Sequence, residues 1–173
     1  GRRARGGAPW IFSNEIVIDP AIKALPAGSI VPVQGDDGVV FGTGYFNPAS
    51  LIAIRLLDPP ADADIGAAFF SAALRRALAR REAFYDAPYY RLVHAEGDGL
   101  PGLAIDRFDA LCSVQVTTAG MEKLTPHLLE SLDDVLAPQT VVLRNDAPAR
   151  SLEGLDLYVR AAKGAMPDRI SLI

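Results

Sequence analysis

The sequence is poor in the residues that build disulfides, metal sites and membrane spans. Cys112 is the single cysteine, and His94 and His127 are the two histidines of the 173 residues. One cysteine excludes an internal disulfide, and so few soft ligands predict no metal site. No apolar run reaches about 18 residues and the basic start lacks an apolar signal core, so neither a membrane span nor a secretory peptide is predicted. These absences indicate a cytoplasmic protein.

Motifs for nucleotide binding and covalent catalysis are missing as well. Gly42 and Gly44 lie inside a predicted strand, and no glycine-rich loop leads from a strand into a helix. There is no P-loop and no GxSxG motif. Cys112 alternates with apolar residues of a strand, which predicts a buried side chain rather than a nucleophile. The sequence therefore predicts no catalytic residue and no cofactor site in this chain.

Positive charge is not in excess, but it is unevenly distributed. The net charge is −4, yet Arg2, Arg3 and Arg5 precede any acidic residue. A second group of arginines lies in a predicted helix, where a solvated helix face and an RNA-contact face both fit the pattern. The total charge argues against nonspecific coating of nucleic acid, but local binding through one face stays open. The arginines of the second group are Arg75, Arg76, Arg80 and Arg81.

Before Pro59-Pro60 the chain consists of short predicted strands separated by tight turns. Gly35-Asp36-Asp37-Gly38 has hairpin-turn composition, and Asn47-Pro48 turns the chain again. This regular spacing is typical of a small barrel or sandwich. The predicted strands span residues 10–18, 30–34, 39–46 and 51–57.

Beyond these prolines the pattern changes, which predicts a domain boundary there. An alanine-rich helix is followed by three strands, a helix, and two more strands. Thr125-Pro126 is typical of the start of this second helix, and a preceding helical turn at residues 119–124 stays open. The order predicts an α+β sandwich of helices against a mainly antiparallel sheet. The predicted elements span residues 65–84, 89–94, 103–108, 111–118, 125–135, 140–144 and 155–160.

The segment from Ala95 to Phe108 carries the densest local signals of the sequence. Its glycines and Pro101 predict the connection of a β-hairpin with demanding backbone geometry. Glu96, Asp98 and Asp106 could instead form a catalytic carboxylate set, although carboxylates beside glycines are common turn residues. We expect turn and ion-pair roles for Asp98, Asp106 and Arg107.

Four stretches together resemble a known family: PWIFSNEI from Pro9, GYFNPAS from Gly44, YRLVHAEGDGLPGLAIDRF from Tyr90, and VVLRNDAPARSLEGL from Val141. They are similar to the N-terminal portion of bacterial large-subunit ribosomal RNA cytosine-C5 methyltransferases that begin with a PUA domain. The first stretch departs from the usual family form, because Ala8 stands where histidine commonly precedes Pro-Trp.

The resemblance implies a small PUA-like β-barrel at residues 1–62, a central α+β domain at 63–160, and a linker at 161–173. The linker would lead to an absent Rossmann-like methyltransferase domain that holds S-adenosylmethionine and the catalytic cysteine. We therefore expect the chain to be a fragment that is inactive alone, with ribosomal RNA and the missing domain as partners. The sequence does not indicate an oligomeric state.

Two sets of candidate residues follow. The first set would contact RNA: Arg2, Arg3, Arg5, Asn47, Ser50 and Arg55. The second would dock onto the missing domain: Asp98, Arg107, Asn145, Asp146 and Arg150. Alternatives remain open, because the basic start could be a disordered leader and the polar segment after Asn145 a simple connection. The whole chain could also be a structural or protein-interaction module without appreciable RNA affinity.

Overall fold

The structure is a computed structural model that describes residues 2–57 and 64–169. The N-terminal unit, residues 2–57, contains an antiparallel four-stranded sheet with the order β1-β4-β3-β2. Its elements are α1 (Arg2–Arg5), β1 (Trp10–Ile11), α2 (Pro20–Lys23), β2 (Ser29–Gln34), β3 (Val40–Phe46) and β4 (Ile54–Leu57).

Two predicted strands of this unit are shorter than expected. The strand from Trp10 ends at Ile11, because Glu15 accepts a hydrogen bond from the Phe12 N–H at 2.9 Å and a 3-10 turn follows. Leu51 is 72% exposed and precedes the last strand rather than joining it. Within residues 2–57, β1 and β2 are the edges of an open strand order, so the described part does not show the predicted barrel.

The second unit, residues 64–169, has the predicted order of helix, three strands, helix and two strands. Its sheet has the order β5-β6-β7-β8-β9, antiparallel except between β7 and β8. The elements are α3 (Ala67–Glu82), β5 (Tyr89–His94), β6 (Leu103–Phe108), β7 (Leu111–Val116), α4 (Ala119–Leu136), β8 (Thr140–Asn145) and β9 (Tyr158–Lys163).

The two helices pack together and cover the sheet. Leu74 of α3 and Leu128 of α4 are fully buried in one cluster with alternate strand residues such as Ile105 and Val114. The Ser131 hydroxyl donates to the Ala67 carbonyl at 2.8 Å and links the helices. The core thus combines residues of the helices, which are apolar every three to four positions, with residues of the strands, which are apolar at every second position.

Helix α4 begins at Ala119, so the preceding turn at residues 119–124 that the sequence left open is helical, and the N-cap lies seven residues before the predicted Thr125. Thr118 is its N-cap and accepts from the Met121 N–H at 3.4 Å, while Pro126 lies inside the helix on an exposed side. A proline that looks like a first-turn residue is thus tolerated within the helix, because packing of the amphipathic face outweighs one lost hydrogen bond.

The predicted hairpin is confirmed. Strands β5 and β6 pair in antiparallel register, and a 3-10 turn at Ala95–Asp98 connects them. Gly102 has φ +74°, and a Cβ there would lie 2.4 Å from the Thr118 hydroxyl oxygen. Both the backbone conformation and the lack of space therefore require glycine at this position.

The predicted boundary at Pro59-Pro60 lies outside the described residues. At the other end of the second unit, β9 continues to Lys163, three residues into the predicted linker. Among residues 2–57 and 64–169, no helix is long and apolar enough to cross a membrane.

Candidate nucleic-acid interface

The N-terminal arginines lie on helix α1, which is anchored by buried Ala4. Arg3 is exposed, with its guanidinium 5.2 Å from the centre of the Phe12 ring. No ion pair of Arg3 is found among residues 2–57 and 64–169. The side chain of Arg2 lies outside the described residues. Arg3 therefore displays positive charge next to an aromatic ring.

Arg5 is committed to a neighbour in the same unit. Its guanidinium lies 2.5 Å from the Asp37 carboxylate and 5.2 Å from the centre of the Phe41 ring. The hydrogen bond from Arg5, helped by one from the Val39 N–H, lowers the pKa of Asp37 to about 2. A phosphate that binds Arg5 would have to compete with the Asp37 carboxylate for its guanidinium. A phosphate that binds Arg3 would not face this competition.

The other predicted RNA contacts of the N-terminal unit turn inward onto one carboxylate, Glu153. Asn47, which is only 3% exposed, donates to Glu153 at 2.8 Å. The Ser50 hydroxyl donates to it at 2.9 Å, and the Arg55 guanidinium lies 3.3 Å away. The carboxylate also accepts from the Ala119 N–H at the start of α4 at 3.4 Å.

Two aromatic side chains complete this contact between the units. Trp10 donates its indole N–H to Glu96 at 2.7 Å, and Arg55 lies 3.8 Å from the same carboxylate. Tyr45 donates to the Pro101 carbonyl at 2.5 Å and accepts from the Thr118 hydroxyl at 3.1 Å. Burial raises the pKa of Tyr45 well above its usual range.

In this structure the polar groups of Asn47, Ser50 and Arg55 join the N-terminal unit to the second unit through Glu153. Their role in RNA contact stays a prediction. Glu153 belongs to the polar segment after Asn145, but its role in joining the units was not predicted, because these partners are about 100 residues away in the chain. Asn47, Ser50 and Arg55 come together around the Glu153 carboxylate only in the folded chain.

The hairpin tip also packs within the chain rather than extending from it. Asp98, predicted to dock onto a further domain, binds Arg80 at 2.8 Å and Arg81 at 2.6 Å, with its side chain 2% exposed. Burial alone would raise the pKa of Asp98, but the hydrogen bonds from Arg81 and the His94 N–H and the two arginine charges lower it. Arg107 donates to the Tyr90 hydroxyl at 2.9 Å.

The remaining docking candidates divide into buried and exposed residues. Arg150 is 1% exposed and donates to Glu122 at 2.9 Å, to the Asp156 carbonyl and to the Val116 carbonyl. Asn145 is fully buried and accepts from the Val116 N–H at 2.8 Å. Asp146 is exposed beside Arg144, so it is the member of this group that can meet a partner. The docking role of the set stays a prediction.

The carboxylates of the hairpin have the structural partners expected of them. Besides Glu96 and Asp98, Asp106 is paired with Arg91 at 2.8 Å. Cys112 is 1% exposed, and burial raises the pKa of its thiol to about 11, as befits a core residue. Within the described ranges, no group of three or more His, Cys, Asp or Glu residues could hold a metal ion.

A concave feature of the N-terminal unit is a cavity of about 850 Å³. Apolar side chains such as Val31, Phe41 and Phe46 line it, and Glu15, Asp36 and Asp37 add carboxylates. Three carboxylates against one arginine do not suit a phosphate group.

A parallel unit formed by β7, α4 and β8 was not expected from the sequence. Helix N-termini in such units can hold the anionic part of a nucleotide. Here the start of α4 is occupied by the Glu153 carboxylate, and a Cβ on Gly120 would lie 2.1 Å from the Tyr45 ring. The described residues therefore do not fit a nucleotide-like cofactor at this place.

Comparison with known proteins finds a matching family model for the N-terminal part and relatives that align with nearly the whole chain. Residues 1–59 match the family model of PUA-like domains. Ribosomal RNA large subunit methyltransferase I of Shewanella frigidimarina is 35% identical over 92% of this chain, and that of Alteromonas mediterranea is 29% identical over 95%. The chain spans about 40% of the length of these relatives, with 41% and 42% covered. The similarity confirms the predicted PUA-like module and the relation to ribosomal RNA methyltransferases.

Solved structures share the fold at low sequence identity. A protein assigned as a methyltransferase and complexed with SAH superimposes with a TM-score of 0.75, covering 96% of this chain and 41% of its own at 13% identity. A protein from Streptococcus mutans assigned as a SAM-dependent methyltransferase gives a TM-score of 0.72 over 95% of this chain and 40% of its own, at 14% identity.

Proposed function

We propose that this chain is the RNA-recognition and positioning portion of an S-adenosylmethionine-dependent 23S ribosomal RNA (cytosine-C5) methyltransferase of the cytoplasm. The observation that carries the proposal is the alignment of nearly the whole chain with ribosomal RNA large subunit methyltransferase I proteins, beginning with a PUA-like module. The chain alone has no transferase activity in this proposal, and a further domain holds the cofactor.

The structure supports a positioning role through the contact between its two units. Glu153, Tyr45 and Trp10 fix the N-terminal unit against the second unit with buried hydrogen bonds. RNA held by one unit is then held at a fixed distance from anything that docks on the other. Such preorganisation reduces the entropy lost when a target nucleotide is aligned for reaction.

S-adenosylmethionine would supply the methyl group. Because the start of α4 is occupied by Glu153 and Tyr45, we assign the cofactor to the methyltransferase domain that the resemblance implies and not to the described residues. Asp146, exposed at the end of β8, is the candidate residue for contact with that domain.

The proposal predicts salt-dependent RNA binding in which Arg3 takes part. Fluorescence anisotropy with labelled 23S ribosomal RNA fragments, measured over a range of salt concentrations, tests it. Arg3→Ala should weaken binding and flatten the salt dependence by roughly 0.7–0.9 log units per lost phosphate contact. Arg2→Ala should add a similar change, whereas Arg5 is a poor probe because it also holds Asp37.

Lys123→Ala is the matched control, since it removes one exposed positive charge from helix α4. An equal loss in Lys123→Ala would show that only total charge matters and would contradict a contact by Arg3. Absence of binding by the unmodified chain at low salt would favour the second candidate, a structural or interaction module. The inward orientation of Asn47 and Arg55 is the observation that favours that alternative.

A further inference from the structure

A second concave surface lies at the C-terminal end of helix α3, on the second unit. It has a volume of about 600 Å³, which is the size of a small-ligand pocket. We call it the aromatic-arginine groove. Its lining residues are Arg80, Arg81, Phe84, Tyr85, Arg91 and His94.

Two adjacent aromatic rings of the groove are open to solvent. Phe84 is 85% exposed and Tyr85 is 54% exposed, just beyond the last residue of α3. The Tyr85 ring is supported from behind by Tyr90, with ring centres 5.4 Å apart and an interplanar angle of 35°. A supported ring with a free face can accept a further flat group by stacking.

The arginines of the groove present more positive than negative charge to solvent. The one Asp98 carboxylate binds both Arg80 and Arg81 and is 2% exposed, while the Arg80 side chain remains 53% exposed. Arg91 is 46% exposed and its partner Asp106 only 23%. The buried carboxylate therefore orients two guanidinium groups and balances only one of their two positive charges, so the remaining positive charge suits an anion.

From these features we infer that the aromatic-arginine groove binds a short single-stranded segment of RNA. A base stacks on Phe84 or Tyr85, and a flanking phosphate pairs with the exposed Arg80. Arg91, in contrast, is held by two hydrogen bonds to Asp106 at 2.8 and 3.0 Å. Stacking platforms beside positive charge are the usual means of binding unpaired nucleotides, whereas a duplex hides its base faces. The choice of RNA rests on the proposed function, but the residues are different from Arg3 and its neighbours.

The test uses the full chain and a labelled single-stranded RNA of about ten nucleotides, a typical site size for such surfaces. Anisotropy titrations at low salt should show that the double variant Phe84→Ala, Tyr85→Ala binds roughly five-fold or more weakly, the loss expected for one stacked base. Phe84→Trp combined with Tyr85→Trp should restore binding, because it restores the stacking faces. Leu152→Ala, at a site 79% exposed on another segment, is the control.

The outcomes separate this inference from the proposed function. Unchanged single-strand binding in the double variant overturns the inference, while a loss of 23S fragment binding in Arg3→Ala would still support the proposed function. Equal weakening of single-stranded and duplex RNA also overturns it, because stacking requires unpaired bases. If the unmodified chain binds neither the 23S fragments nor the short single-stranded RNA, both proposals are wrong. Thiol labelling of buried Cys112 checks that each variant remains folded.

Discussion

The N-terminal unit and the second unit differ in how many hydrophobic side chains they bury. The N-terminal cluster of the described chain has six buried hydrophobic residues: Ala4, Ile11, Val33, Phe46, Ala53 and Ile54. The cluster of the second unit has 23, including Tyr45 and Leu57 from the N-terminal unit. Because buried apolar area dominates stability, we expect the second unit to be the more stable of the two.

The difference between the two units in buried hydrophobic residues has a direct structural cause. Strands β1 and β4 of the N-terminal unit have two and four residues, whereas each strand of the second sheet has six, and α3 and α4 cover that sheet. The N-terminal unit compensates by placing Tyr45 and the partners of Glu153 in the contact with its neighbour. Its stability therefore depends on the contact between the units.

The largest effect that tests this comparison is expected from Glu153→Ala. The change removes the carboxylate that accepts from buried Asn47 and leaves the largely buried Arg55 with Glu96 alone, 3.8 Å away, so it should destabilise the contact by about 3 kcal/mol. In urea, the fluorescence of Trp10 should change at lower concentration than in the unmodified chain. Cys112 should stay protected from thiol reagents over that range, because it reports on the core of the second unit.

The Trp10 transition of Glu153→Gln should lie between those of Glu153→Ala and the unmodified chain. The amide oxygen of glutamine still accepts from Asn47, but it has no charge to pair with Arg55. Glu130→Ala, an exposed carboxylate of α4, controls for the loss of charge. If the Trp10 and Cys112 transitions shift together in Glu153→Ala, the two units unfold as one and the comparison fails.

A smaller effect is expected from Gly120→Ala on the other side of the contact. The new Cβ would lie 2.1 Å from the Tyr45 ring, which is itself 2% exposed and cannot move away freely. We expect a loss of about 2 kcal/mol in the free energy of unfolding, measured by urea denaturation. Gly97→Ala, where nothing lies within 4 Å of the added Cβ, is the control.

A double-mutant cycle between Gly120→Ala and Tyr45→Ala sharpens this result. Removal of the ring creates space for the methyl group, so the two changes together should cost less than the sum of their separate effects. Simple additivity would show that Gly120 is not limited by the Tyr45 ring.

The smallest effect is expected within the second unit, from Asp98→Asn. The folded pKa of Asp98 is lowered from its ordinary 3.8, so its charge stabilises the fold above that pH and loses this effect as the pH falls through the folded pKa. Asp98→Asn should cost about 1 kcal/mol near pH 7. The difference from the unmodified chain, followed by urea denaturation, should shrink below about pH 4.

Asp86→Asn, an exposed carboxylate just beyond α3, should change the free energy of unfolding by less than about 0.5 kcal/mol. A pH-independent difference for Asp98→Asn would mean that the charge is not what stabilises the hairpin tip. The Cys112 signal alone should respond if the two units are independent at this place.

Local signals made the second unit largely predictable. The hairpin strands at Tyr89–His94 and Leu103–Phe108 have the predicted bounds, because strict alternation and glycine turns fix them locally. The predicted N-cap of α4, Thr125, was wrong by seven residues, since Thr118 caps the helix and Pro126 is tolerated only through packing. In the N-terminal unit, Leu51 looked like a strand residue, but the described strand begins at Ile54.

The sequence by itself determined the order of elements, the buried cysteine and the glycine-rich hairpin, because each depends on residues close together in the chain. Only the tertiary structure decided that Asn47, Ser50 and Arg55 converge on Glu153 and that Phe84 and Tyr85 remain open beside three arginines. Both arrangements depend on which distant side chains reach one another. Burial and charge pairing over such separations follow from packing, which no local pattern encodes.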